Sequence, residues 1–174
     1  MIKSLKYKFS SGLLLCTVIL FSLSACNSDV IIDEDYTIPE YGWAYNEQAA
    51  FEFEIEDTTA LYRMAVDIDH STEFPFQNIY LRIHSVFPND TTNIIQHSVE
   101  LQEPNGQWIG GCSGEDCSVR VILSENMYFN QTGTHKISFE QYTRRDSLKG
   151  IEKWGLILEK MGTKPTELSP VETE

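Results

Sequence analysis

The stretch Ala50-Phe51-Glu52-Phe53-Glu54-Ile55-Glu56-Asp57 alternates apolar and acidic side chains without a break. In an extended strand successive side chains point to opposite faces. Phe51, Phe53 and Ile55 therefore share one face and Glu52, Glu54 and Glu56 the other, the pattern of a strand buried on one side. Glutamates in that row read as a solvated outer surface. The same two-residue period recurs along the chain. In Leu61–Asp69 the inward row is Tyr62, Met64, Val66 and Ile68. In Asn78–Phe87 it is Ile79, Leu81, Ile83 and Phe87. Ile94–Leu101 offers Ile95, Val99 and Leu101, with His97 on the same face. Ser118–Leu123, Thr134–Tyr142 (Ile137 and Phe139) and Lys153–Lys160 (Trp154, Leu156 and Leu158) supply three more strands.

Turn chemistry separates these runs: Asp57-Thr58-Thr59, Phe87-Pro88-Asn89-Asp90, Pro104-Asn105-Gly106, Gly110-Gly111 and Gln131-Thr132-Gly133. No ten-residue stretch carries a helical stripe. The expected fold is all-β: an antiparallel β-sandwich, jelly-roll-like, of about seven to eight strands.

The first residues follow another logic. Lys3, Lys6 and Lys8 precede an apolar run from Gly12 to Leu23, and no acidic residue comes before Asp29. That is the charged and apolar layout of an export signal. The run is short of the roughly 20 apolar residues that span a bilayer. It ends in Leu23-Ser24-Ala25-Cys26, which resembles the lipobox of bacterial lipoproteins. The resemblance implies cleavage before Cys26 and acyl chains on that residue. Each buried CH₂ contributes about 0.8 kcal/mol, and stable anchoring needs two chains or more, which one such cysteine supplies. The expected organisation is a removed signal at 1–25, a lipidated acidic tether at 26–42, a sandwich at 43–160 and a disordered tail at 161–174.

The full chain of 174 residues carries a net charge of −13. Residues 1–25 hold three of the 13 basic and none of the 26 acidic residues, so the 149 that remain carry −16. Such a body is repelled by nucleic acid and by anionic head groups, which excludes a nucleic-acid partner. With 41% hydrophobic and 11% aromatic residues the composition is that of a folded domain. Cys16 falls in the signal, which leaves Cys112 and Cys117 in an oxidising compartment. They are expected to form a disulfide, worth only about 2 kcal/mol across so short a loop. Free thiols are the remaining reading, since zinc would need two further ligands and no His or Cys flanks the pair.

Catalytic signatures are missing from the sequence: no G-x-S-x-G, no H-E-x-x-H, no phosphate loop and no dinucleotide fingerprint. His70, His84, His97 and His135 are scattered. In Asp67-Ile68-Asp69-His70 a strand would set the two carboxylates on one face and the imidazole on the other. No catalytic residue, metal or cofactor is therefore assigned. Trp43, near Tyr41 and Tyr45, and Trp108 lie in loop-like segments. Core packing is the favoured reading for both tryptophans, and stacking on a ligand or partner the sharper alternative.

One order of features is more specific. Cys26, Ile38-Pro39 with Trp43, Phe51-Glu52-Phe53, Phe74 to Leu81, Pro104 to Gly110, Gly133 to Gln141, Gly150-Ile151 and Gly155 to Lys160 together resemble the gliding-motility lipoprotein GldH family of Bacteroidota. The resemblance implies an outer-membrane lipoprotein tied to the gliding apparatus and its associated secretion system, with no catalytic residues to carry over. The Cys112–Cys117 loop and the residues past Lys160 depart from the family pattern. Exported proteins of that phylum are O-glycosylated at Asp-(Ser/Thr)-(small or apolar) triplets. Asp57-Thr58-Thr59, Asp90-Thr91-Thr92 and Asp146-Ser147-Leu148 resemble these, which makes Thr58, Thr91 and Ser147 candidates.

Three functional readings follow. The first is a non-enzymatic component of a motility or secretion complex, bound to the bilayer through Cys26 and to other envelope proteins. The second is a carbohydrate-binding surface lipoprotein using Trp43 and Trp108. The third is a hydrolase whose paired carboxylates come together only in space. Acidic residues close behind a lipidated cysteine resemble this phylum's surface-export signal. Here Asp29 is isolated and Asp33-Glu34-Asp35 comes late, so the periplasmic face is favoured over the cell surface.

Overall fold

The computed structural model describes residues 29–164. It contains eleven strands: β1 (Val30–Thr37), β2 (Trp43–Ala44), β3 (Gln48–Ile55), β4 (Ala60–Ser71), β5 (Asn78–Val86) and β6 (Thr92–Glu100), followed by β7 (Gly111–Ser113), β8 (Asp116–Met127), β9 (Gly133–Gln141), β10 (Ser147–Leu148) and β11 (Ile151–Thr163). Two sheets face each other, ordered β1-β11-β4-β8-β7 and β3-β9-β5-β6, and β2 pairs with β10 in a short ribbon. Every pairing is antiparallel. Without the three-residue β7 and the ribbon, eight strands remain in the order of a jelly roll, four to a sheet.

The alternation read from sequence is what builds the core. Along β3, Ala49, Phe51, Phe53 and Ile55 are buried and the residues between them exposed. Met64, Val66 and Ile68 of β4 meet Leu158, Leu156 and Trp154 of β11 in register, and these six and Tyr62 are all buried. Complete burial of each large apolar side chain contributes roughly 1.5–3 kcal/mol, so these rows hold the two sheets together. At the centre the Trp154 ring lies 5.2 Å from Trp43 and 5.3 Å from Phe139.

Several expectations need correction. The acidic segment read as a tether contains β1, which pairs with β11 from Val30↔Glu159 to Thr37↔Lys153. Only Ile32 of this strand is buried, so a single inward side chain carries the pattern and no alternation shows in the sequence. Residues 161–164, expected in the tail, belong to the fold: β11 runs to Thr163, opposite Ala60, and the Lys164 amide donates to the Thr59 carbonyl. Residues 165–174 lie outside the described residues. Ile95 lies opposite the buried Ile83 but is itself 50% exposed, as part of an edge strand. Ser147, one of the candidate glycosylation sites, sits in β10.

Candidate functional site

Cys26 and its lipobox lie outside the described residues. Cys112 and Cys117 are directly opposed across the β7–β8 hairpin. Their sulfurs are bonded and their Cα atoms 4.0 Å apart. Gly114 opens the two-residue turn with φ +68°, the positive angle that a type II′ hairpin needs at its first central position. The bridge therefore fixes a local hairpin on the rim of the larger sheet.

The two tryptophans are no matched pair of loop platforms. Trp43 is 0% exposed, and its Nε1 donates to the Glu47 carbonyl at 2.9 Å. No face of its ring is open to a ligand. Trp108 is half-buried, with its ring 4.6 Å from that of His70. His70 is fully buried, on the opposite face of β4 from Asp67 and Asp69. Thr58 occupies the β3–β4 turn and Thr91 precedes β6. The Thr91 hydroxyl donates to Asn89 Oδ1, whereas the Ser147 hydroxyl donates to the Tyr41 carbonyl at 2.6 Å.

On the outer face of the larger sheet, carboxylates and cations interlock across strands. Lys153 of β11 reaches Asp35 of β1 at 3.2 Å and Asp69 of β4 at 2.9 Å. Gly155 makes room for this, since a Cβ there would stand 2.5 Å from Asp35 Oδ1. Arg120 of β8 makes two 2.7 Å bonds to Asp67, which raise its already high pKa. Burial works against ionisation of Asp69, yet hydrogen bonds from Ser118 and Lys153 draw its pKa below the usual value. Asp57 is held well below the carboxylate range by Lys160 Nζ at 2.6 Å and by the Thr59 hydroxyl. The Tyr36 hydroxyl donates to Glu47 and its pKa rises to about 12. Each of these contacts settles charge within the fold.

The outer face of the smaller sheet carries a cluster that sequence spacing does not show. Glu140 of β9 is buried and takes Arg82 at 3.3 Å and His84 at 2.7 Å, both from β5. Arg82 also stacks 3.8 Å over the Tyr142 ring. Each residue belongs to the outward row of its strand, but only register across β5 and β9 joins them. A carboxylate beside an imidazole could orient a base, but Arg82 already takes its other oxygen. Among the described residues no group of three or more His, Cys, Asp or Glu is placed to hold a metal.

Two clefts open at opposite ends of the sandwich. One, of about 410 Å³, includes Phe87, Tyr128, Phe129, Gln131 and His135. It lies at the end where β1 begins, together with the β3–β4 and β5–β6 turns. The other, of about 550 Å³, includes Ser71, Phe76, Arg145, Ser147 and Lys149. The eight residues of β1 separate these ends by about 26 Å.

Comparison with known proteins gives one consistent answer. Residues 30–158 match the GldH lipoprotein family. The chain is 27% identical to "Gliding motility lipoprotein GldH homolog" of Christiangramia forsetii over 159 residues, which cover 87% of this chain and 96% of that protein. It is 24% identical to "Gliding motility lipoprotein GldH" of Flavobacterium johnsoniae over 162 residues, 89% of this chain and 98% of that one. Among solved structures, the infectious bursal disease virus VP2 subviral particle matches 78% of the chain at 15% identity with a TM-score of 0.38. The match spans about a third of that capsid chain (34%). A CBM35 from Cellvibrio japonicus matches 80% of this chain and 96% of that one, at 14% identity with a TM-score of 0.27.

Proposed function

As the chain belongs to the GldH lipoprotein family, we propose that it is a non-enzymatic component of the gliding-motility machinery and its associated secretion apparatus. Acyl chains on Cys26 hold it in the outer membrane, with the sandwich on the periplasmic face. The match to the family over residues 30–158, nearly all of the sandwich, carries this reading.

The position of β1 adds a physical consequence. Asp29 immediately precedes the strand, and three peptide steps from Cys26 to Asp29 reach at most about 11 Å. A lipid on Cys26 therefore holds the sandwich close to the bilayer by the end where β1 begins. Asp29, Glu54, Glu56 and Asp57 line a recess at that end, where anionic head groups are repelled. The acyl chains supply the adhesion, and the far end, with the Phe76–Arg145 cleft, points away from the membrane toward other envelope proteins.

The carbohydrate-binding reading loses support from the enclosure of Trp43. Cys26→Ser tests the proposal. The unmodified chain is expected to accumulate as precursor and to lose both membrane sedimentation and co-purification with motility or secretion components. Normal processing and sedimentation of Cys26→Ser would overturn the anchorage. Saturable glycan-array binding that Trp108→Ala abolishes would favour the carbohydrate reading.

A further inference from the structure

Four strands end the two sheets: β1 and β7 in one, β3 and β6 in the other. An edge strand offers unpaired backbone groups to any other chain, and stable proteins guard it with charge, bulges or brevity. β1 carries Asp33, Glu34 and Asp35 and a bulge between Val30 and Ile32. β3 carries Glu52 and Glu54. β7 is three residues long and bridged to β8. β6 has only Glu100, at its last position, as a guard. Its nine residues keep unbroken register with β5, and no Asp, Glu, Lys, Arg or Pro occurs from Thr91 to Val99. Ile94 is 56% and Ile95 50% exposed, and Tyr80 of β5, opposite Ser98 further along the strand, is exposed as well.

We propose that this edge pairs with β6 of a second copy of the same chain, antiparallel about a two-fold axis, to join two four-stranded sheets into one of eight. Charge selects the occupant. In a chain of net charge −13, two copies repel across most surfaces. Thr91–Val99 laid against itself sets no charge directly opposite a like charge. The β1 or β3 edge paired with itself would set carboxylates together, which destabilises a strand pair.

Charge also selects the register. Asp90 and Glu100 bracket the neutral run, and an axis through Ile95 would put them opposite each other. An axis through Ile94 sets Asp90 opposite Ser98 of the other copy and moves Glu100 from the directly opposite to the diagonal position, about 7–8 Å away. It also joins the two exposed Ile94 side chains as a cross-strand apolar pair. A strand edge alone buries less than the roughly 1,200 Å² of a stable interface, so the pair is weak in dilute solution. Confinement of many copies to one surface raises their effective concentration and favours it.

Cysteine cross-linking of the full chain in cells tests this, because facing strand residues lie within disulfide reach. Ile94→Cys is expected to give an oxidation-dependent species of twice the mass, and Glu52→Cys on β3 none. Adding Ile95→Lys, at an exposed position, should reduce the Ile94→Cys product at least several-fold. Cross-linking through Ile95→Cys or Gln96→Cys but not Ile94→Cys would overturn the register and keep the edge pairing. No product from any of the three, or a product of another mass, would overturn the pairing itself. Membrane fractionation of the same samples reports the anchor separately, so a soluble chain is told apart from a membrane-bound monomer.

Discussion

The β1 and β6 edges show two ways of finishing a sheet. β1 carries three consecutive carboxylates, yet it is locked to β11 by seven register pairs and by the Asp35–Lys153 contact. β6 carries no charge before Glu100 and reads from its alternation as a half-buried strand, yet its first five residues are exposed. Charge along a strand therefore does not report how firmly the strand is held. What matters is whether its few inward side chains reach the facing sheet. Ile32 does, and Ile95 does not.

That contrast is sharpest in stability. Ile32 is only 6% exposed, and truncating a buried isoleucine to alanine costs about 2–5 kcal/mol. Ile32→Ala is expected near 2–3 kcal/mol, at the low end because the site lies on an edge strand. Ile95→Ala should stay within about 0.5 kcal/mol, as for an ordinary surface substitution. Urea unfolding of the two variants measures the difference. Equal losses would break the distinction.

A smaller effect separates the edges by pH. Lys160 and Thr59 hold the Asp57 carboxylate below its usual pKa, which pins the β3–β4 turn to β11. A depressed carboxylate contributes stability above its unfolded pKa, near about 3.9. That contribution is lost as pH falls through the folded value. Asp57→Asn is therefore expected to flatten the acid limb of a melting-temperature profile below about pH 4 while lowering the neutral-pH value. Mutating Thr92 or Gln96 to alanine on β6 should leave the acid limb unchanged.

Much of the sandwich was legible because most of its strands are half-buried and obey a strict two-residue period. β3, β4 and β11 show their inward rows plainly. β1 was illegible since its carboxylates fall on both faces, and an exposed edge strand imposes little pattern. The sheet order could not be read, because pairing β11 between β1 and β4 is a long-range choice that no local spacing encodes. The Arg82–His84–Glu140 cluster was hidden for the same reason. Trp43 shows the converse: its neighbours read as a loop, and only the fold pairs it with Leu148 in the β2–β10 ribbon and packs its ring against Trp154.

The central structural claim is that the chain enters the sheet at Val30, only a few residues past the lipidation motif. Amide hydrogen exchange on the membrane-bound protein tests it most directly. The account predicts that alternate amides of Val30–Thr37, those bonded to β11, exchange as slowly as core strand amides. Exchange of the whole segment at the rate of a free chain would make it a loose tether, and the close-held geometry would be wrong.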